Sequence, residues 1–98
     1  MFVAMSRFAV ANGMSGEVRQ AFRDRPHLVD GVPGFLRMEV LTPRDDPDEF
    51  WLITWWSDEE SFQAWHRDHL KESHRGIPRG LRLLPERSQV RYFEQVAS

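Results

Sequence analysis

The sequence of 98 residues contains no cysteine, which excludes disulfides, thiolate metal sites and cysteine nucleophiles. No apolar run approaches the roughly 18 residues of a membrane span. The opening stretch MFVAMSRFAV lacks the charged start of a signal peptide. The 13 Lys and Arg residues form no basic stripe and the net charge is −2, so the electrostatic footprint of a nucleic-acid-binding protein is missing. These absences predict a cytoplasmic protein with no membrane and no nucleic-acid partner.

Aromatic side chains, in contrast, are abundant for so short a chain, with four Trp and seven Phe. The length predicts that residues 1–98 form a single domain that can bury one core without the support of disulfides or bound metals. Because each aromatic ring buries a large area, such a set suits a tight core, a dimer interface or a pocket for a flat ligand. Composition leaves these three uses open.

The hydrophobic periodicity predicts four strands and two helices. The predicted elements are, in order, a strand over 2–10, a helix over 17–29 with a kink at Pro26, strands over 35–42 and 50–56, a helix from Ser57 through Trp65, and a strand over 90–96. Ser15 is the predicted cap of the first helix, and Ser57 with Glu60 forms the capping box of the second. The order β-α-β-β-α-β predicts an α+β fold of the ferredoxin-like type with a four-stranded antiparallel sheet.

Helices on one face of such a sheet leave its other face bare. Trp51 and Trp55 stand at alternating positions of the most apolar strand, so an uncovered face would expose a large apolar patch. Two sheets packed face to face would cover it, and we therefore expect a two-fold homodimer.

The stretch SFQAWHRDHLKESH, residues 61–74, holds three of the four histidines. His66 and His69 are three residues apart on one helix face, but no further motif completes a metal site, so we interpret them as exposed helix surface. Trp65 and His74 are nine residues apart, which places them on opposite faces of a straight helix. They reach one cavity only if the helix breaks, and Asp68 is a suitable N-cap for a restart. Otherwise Trp65 is a core residue and His74 a solvated one.

Three stretches carry a resemblance to a known family: MFVAMSRFAV, VPGFLRMEVL, and WWSDEESFQAW followed by His74. With them the chain resembles the antibiotic biosynthesis monooxygenase (ABM) superfamily, and within it the small IsdG-like heme-degrading monooxygenases. The resemblance implies a dimeric α+β barrel that binds heme as cofactor and substrate and degrades it oxidatively with O2 and an external electron donor.

The resemblance also implies roles for five residues. His74 matches the proximal ligand of the heme iron, and Trp65 matches the bulky residue pressed against the macrocycle. Ser6 stands where these relatives carry a distal asparagine; its hydroxyl is a shorter donor that needs a bridging water. Arg25 matches an arginine near the heme, suited to a propionate, although its stem could instead lie along the surface. Phe22 lines the pocket floor or packs in the core.

Two other functions stay open at this stage. Some superfamily members oxidise aromatic polyketide-like substrates with O2 and no cofactor, and Ser6 in place of asparagine favours that alternative. A small dimeric binding domain without enzymatic activity is the third possibility. It predicts that Trp and Phe side chains fill the space between the first helix, Trp65 and the sheet.

Overall fold

The computed structural model describes residues 1–25, 27–73 and 78–98, and for Leu28 and residues 68–73 it describes the backbone alone. His74, assigned to heme iron by the resemblance, lies outside the described residues, as does Pro26 with its predicted kink. The described elements are β1 (Phe2–Ala9), α1 (Ser15–Arg23), β2 (Phe35–Leu41), β3 (Glu49–Trp56), α2 (Glu59–Ser73) and β4 (Gln89–Glu94), with short 3-10 helices at Leu28–Gly31 and Pro85–Arg87.

The four described strands form one antiparallel sheet in the order β2-β3-β1-β4. Strands β1 and β3, the two most apolar, lie in the middle, where each is paired on both sides. The predicted α+β fold of the ferredoxin-like type is therefore confirmed. No helix in the described ranges is both long and apolar enough to cross a membrane.

Two apolar clusters pack the helices against one face of the sheet, which we call the helix face. The first core cluster lies under α2 and consists of Phe2, Ala4, Val29, Trp56 and Phe62. The second core cluster lies under α1 and consists of Val10, Val18 and Phe50. Trp56 is 0% exposed and Phe50 2% exposed, and burying such a ring stabilises the fold by about 2–3 kcal/mol. The clusters occupy opposite ends of the helix face.

Helix α1 differs from its prediction at both ends. It begins at Ser15, whose hydroxyl donates a hydrogen bond to the Asp48 carboxylate and caps nothing, so the predicted cap is wrong. It ends at Arg23 and not near residue 29, because His27 adopts a left-handed φ of 57° and starts the separate 3-10 helix. Arg25 therefore lies beyond the helix and not on its apolar stripe.

Helix α2 starts one residue later than its capping box predicted. Asp58, not Ser57, is the cap, since its carboxylate accepts a 2.8 Å hydrogen bond from the backbone N–H of Ser61. This bond, with a second from the Ser61 side chain, lowers the pKa of Asp58. The helix then continues unbroken to Ser73, so the predicted restart at Asp68 is wrong.

Gly34, in the turn that precedes β2, allows that turn to lie close to the start of α2. Its φ is +86°, and its carbonyl accepts a 2.8 Å hydrogen bond from the Ser57 N–H. A Cβ at this position would collide with the side chain of Ser61 in the first turn of α2. Only glycine combines that φ with so close an approach.

Candidate functional site

A row of four side chains crosses the middle of the helix face between the two core clusters. Ser6 on β1 pairs with Leu52 on β3 and Val90 on β4, and Leu52 pairs with Val40 on β2. We call these four residues the Ser6 row. None of them is buried: Val40, Leu52 and Ser6 are half-buried and Val90 is exposed. At a strand spacing of about 4.8 Å, the row spans about 14 Å.

Ser6 is the polar member of this row. Within the described ranges its hydroxyl has no hydrogen-bond partner, and the side chain is half-buried. The neighbouring Thr54 hydroxyl accepts a 2.9 Å hydrogen bond from the Trp56 indole N–H. Ser6 carries the one hydroxyl of the Ser6 row, and its O–H can donate to a ligand.

Trp65 lies at the α2 side of the site. It is half-buried, and its ring packs on that of Trp56 with centroids 5.7 Å apart and a tilt of 34°. It therefore belongs to the margin of the first core cluster and keeps part of its surface open. This packing fixes the ring against a fully buried neighbour.

Of the histidines in the 61–74 stretch, the structure describes the side chain of His66 alone. His66 is exposed, as predicted, and its ring stacks on Phe62 at 5.4 Å with an interplanar angle of 21°. The side chain of His69 lies outside the described residues. In the part of the chain that the structure describes, no three His, Asp or Glu side chains come together as a metal site would need.

Phe22 and Arg25 lie together in a groove between α1 and β2, which we call the α1–β2 groove. Its volume is about 430 Å³, and its lining consists of Arg19, Phe22, Arg23, Arg25, Met38, Val40, Leu41, Thr42 and Phe50. Phe22 also packs on Phe8 and Phe50, with ring centroids 6.2 and 6.1 Å away. It thus combines the two roles that the sequence left open, packing in the core and lining a cavity.

Arg25 is held by an acidic neighbour. Its guanidinium makes a 3.0 Å ion pair with Asp30, whose other oxygen lies 3.1 Å from Nδ1 of His27. The Arg25 hydrogen bond, with a smaller effect of His27, holds the pKa of the Asp30 carboxyl below its usual range. A propionate at Arg25 would therefore compete with Asp30. The sequence pattern did not indicate His27, because its left-handed φ depends on the chain around it.

The structure thus divides the predicted site residues between two places. Phe22 and Arg25 line the α1–β2 groove, whereas Ser6 and Trp65 do not. Ser6 lies in the row between the two core clusters, and Trp65 packs at the margin of the first core cluster. Arg19 and Arg23, which the sequence pattern did not single out, join Arg25 at the groove.

Comparison with known proteins gives a consistent set of relatives. The family model for antibiotic biosynthesis monooxygenase matches residues 1–75. A heme oxygenase (mycobilin-producing) of Mycobacterium tuberculosis is 31% identical over 74 residues, which cover 76% of this chain and 70% of the relative.

Two solved structures extend the comparison to the fold. The heme degrader MhuD from M. tuberculosis, with two hemes bound in its active site, is similar with a TM-score of 0.80 and 26% identity, covering 100% of this chain and 98% of that one. The cofactor-independent oxygenase SnoaB from Streptomyces nogalater has a TM-score of 0.76 at 23% identity, covering 99% of this chain and 94% of that one. The second likeness concerns the fold alone.

Proposed function

This chain belongs to the antibiotic biosynthesis monooxygenase family, and from that premise we propose that it binds heme and degrades it oxidatively, using O2 and an external reductant. The predicted family, with its monooxygenase class, is confirmed by the match over residues 1–75 and by the 31% identical relative. The choice of heme as the substrate is our proposal. The observation that carries it is the Ser6 row, an unburied apolar strip with one available hydroxyl.

The Ser6 row fits a flat macrocycle. Val40, Leu52 and Val90 offer apolar surface, and the row's width of about 14 Å suits a large flat ring better than a narrow substrate. Because no member of the row is buried, the filled pocket that a non-enzymatic binding domain predicts is not supported.

Each proposed residue has a distinct task. His74 would bind the iron through a neutral imidazole nitrogen. Bound heme supplies the metal that activates O2. The indole of Trp65, backed by Trp56, would lie against the macrocycle as a fixed apolar contact. The Ser6 hydroxyl would donate a hydrogen bond to the bound ligand, through a water where a carboxamide would reach directly.

The assignment of His74 rests on the resemblance. The sequence predicts one cavity for Trp65 and His74 only if the helix breaks at Asp68, and α2 is continuous there. A binding experiment must therefore decide the ligand. We propose titration of hemin into the protein and into His74→Ala, followed at the Soret band.

The chain offers a matched control for this titration in His66→Ala. His66 lies eight residues before His74, is exposed, and stacks on Phe62. We expect wild type and His66→Ala to give the same Soret band and His74→Ala to lose it. A Soret band of equal strength in His74→Ala would refute the ligand assignment.

A second candidate function is cofactor-independent oxidation of an aromatic polyketide-like substrate. Ser6 in place of the asparagine of the heme-degrading relatives is the observation that favours it. The test is oxygen uptake on a hydroxylated polycyclic aromatic without hemin. Uptake by a protein that gives no Soret band would support this candidate over heme degradation.

We also propose that the protein works as a homodimer in which a second copy covers the face of the sheet opposite the helices. This open face carries Trp51 and Trp55, with the Arg7 guanidinium 5.5 Å from the Trp51 ring and that of Arg37 4.0 Å from the Trp55 ring. The Arg7 Nε is buried and lacks a hydrogen-bond partner within the described residues, which a partner carbonyl would remedy.

Sedimentation equilibrium tests the dimer. Ile53 lies on the open face between Trp51 and Trp55, and Ile53→Lys places a charge at its centre. We expect this variant to sediment as a monomer and Gln63→Lys, on the exposed side of α2, to remain dimeric. A monomeric wild type would contradict the proposal.

A further inference from the structure

Arg25 belongs to the proposed heme site through the α1–β2 groove, and it is already bound to a carboxylate of its own chain. It lines this groove together with Val40, which is also a member of the Ser6 row. Its guanidinium makes a 3.0 Å ion pair with Asp30. In the part of the chain that the structure describes, no carboxylate lines the groove itself. Asp30 therefore reaches Arg25 from outside the groove, from the 3-10 helix at Leu28–Gly31.

This 3-10 helix holds Asp30 beside Arg25. Its start is closed by a 3.2 Å hydrogen bond that the Asp30 N–H donates to the His27 carbonyl. The second carboxylate oxygen of Asp30 lies 3.1 Å from Nδ1 of His27. The carboxylate thus keeps one contact when Arg25 leaves it, so opening the Arg25–Asp30 pair costs a single interaction.

The Arg25–Asp30 pair is weak enough to open. The Arg25 side chain is 21% exposed and that of Asp30 is 42% exposed, so water competes for both partners. Exposed ion pairs are worth no more than about a fivefold change in an equilibrium constant. A heme propionate carries the same carboxylate group as Asp30 and can bind the same guanidinium. Exchanging one carboxylate for the other at Arg25 therefore costs little free energy.

We propose that Asp30 is an internal competitor of a heme propionate: it occupies Arg25 in the free protein, and a bound propionate displaces it while its contact with His27 persists. The inference rests on the proposed function, because it needs heme in the site. Asp30 acts through Arg25 and touches no ligand, so it is a positioning residue. Its effect is to weaken heme binding and so to favour release of the ligand.

A hemin titration followed by the quenching of tryptophan fluorescence measures this competition in wild type, Asp30→Asn, Arg25→Gln and the double variant. We expect Asp30→Asn to bind hemin about 2- to 5-fold more tightly than wild type, because the competitor is lost. Arg25→Gln removes the group for which the two carboxylates compete, so Asp30→Asn should change nothing in that background. Asp30→Glu keeps a carboxylate and should bind hemin as wild type does.

Asp24→Asn is the matched control for the loss of charge. It removes a carboxylate one residue before Arg25 that accepts its 2.9 Å hydrogen bond from the Gln20 amide. We expect this control to bind hemin with wild-type affinity. An equal gain in Asp24→Asn, or a gain in Asp30→Asn that persists in the Arg25→Gln background, would show a general charge effect and overturn the proposal.

The pKa of Asp30 provides a second measurement, which a purely structural role would not change on ligand binding. In the free protein the hydrogen bond from Arg25 holds the pKa of this carboxyl below its usual range. A propionate that takes Arg25 away should raise it. The measurement follows the carbon-13 resonance of the Asp30 carboxyl against pH, in free protein and in protein saturated with gallium protoporphyrin IX, a diamagnetic equivalent of hemin. An Asp30 pKa that stays equally low in the complex would overturn the displacement.

Failure of the heme proposal and failure of this inference give different results. A wild type that binds neither hemin nor gallium protoporphyrin IX would refute both. A wild type that binds hemin, with Asp30→Asn binding it equally or more weakly, would overturn the competition alone and leave the heme proposal standing.

Discussion

Replacement of Gly34 by alanine tests how the start of α2 is held in place. Two costs add at this position. A left-handed φ costs a residue with a Cβ about 1–2 kcal/mol, and the collision with Ser61 adds a packing strain of about 1–3 kcal/mol. The expected loss in the free energy of unfolding is therefore about 2–5 kcal/mol. In a domain of this size, Tm should fall by at least about 8 °C.

Two other glycines separate these costs. Gly13 has a φ of +75°, and no atom lies within 4 Å of the place that a methyl group would take, so Gly13→Ala carries the φ cost alone. Gly16 lies in α1 with ordinary φ and open space, so Gly16→Ala should stabilise by about 0.5–1 kcal/mol. The expected order of Tm is Gly16→Ala, wild type, Gly13→Ala and then Gly34→Ala.

The assay is thermal unfolding by circular dichroism at one fixed protein concentration, since dimerisation makes Tm depend on concentration. A double-mutant cycle with Ser61→Gly isolates the collision, because that change removes the atoms in the way. A Gly34→Ala variant no less stable than Gly13→Ala would refute the contact between this turn and α2.

Two further predictions concern the distal donor and the response to acid. Ser6→Ala should slow hemin degradation about 2- to 10-fold, the worth of one hydrogen bond, and Ser6→Asn should accelerate it; equal rates in all three proteins would remove Ser6 from the mechanism. Arg87 contacts the carboxylates of Asp46 at 2.6 Å and Glu49 at 2.8 Å. Its hydrogen bond lowers the pKa of Asp46, while the Trp51 indole and then Arg87 lower that of Glu49. Lowered carboxyl pKa values stabilise the fold above a pH of about 4, and the gain is lost as the pH falls through them. The Tm of Arg87→Met should therefore lie below that of wild type at pH 7 and converge with it below a pH of about 4; a constant gap would contradict this.

The parts of the fold that follow from local pattern were predictable. The run FWLITWW predicted a central strand over 50–56, and β3 covers Glu49–Trp56. Where either of two neighbouring residues could cap a helix, contacts with residues distant in the sequence decide which one does. Ser57 and Asp58 are both good caps. The Ser57 N–H, which the Glu60 carboxylate of a capping box would bind, donates to the Gly34 carbonyl, and Asp58 caps the helix through the Ser61 N–H.

The candidate site also combines features that local pattern predicts with features that depend on distant contacts. Strand alternation placed Ser6 on the face with Phe2 and Phe8, and the structure agrees. Its neighbours Leu52 and Val90 depend on the strand register, which the sequence does not specify. Arg25 was placed on a helical stripe because periodicity does not reveal that the chain leaves the helix at Asp24 and pairs Arg25 with Asp30.

The central claim is that this chain degrades heme, and turnover of hemin-loaded protein tests it most directly. Ascorbate is added under air, and the Soret band is followed together with the release of iron to a chelator. Our account predicts that the band decays and iron is released in wild type and His66→Ala, and that His74→Ala does neither above the rate of free hemin. A Soret band that persists in wild type under these conditions would contradict the account.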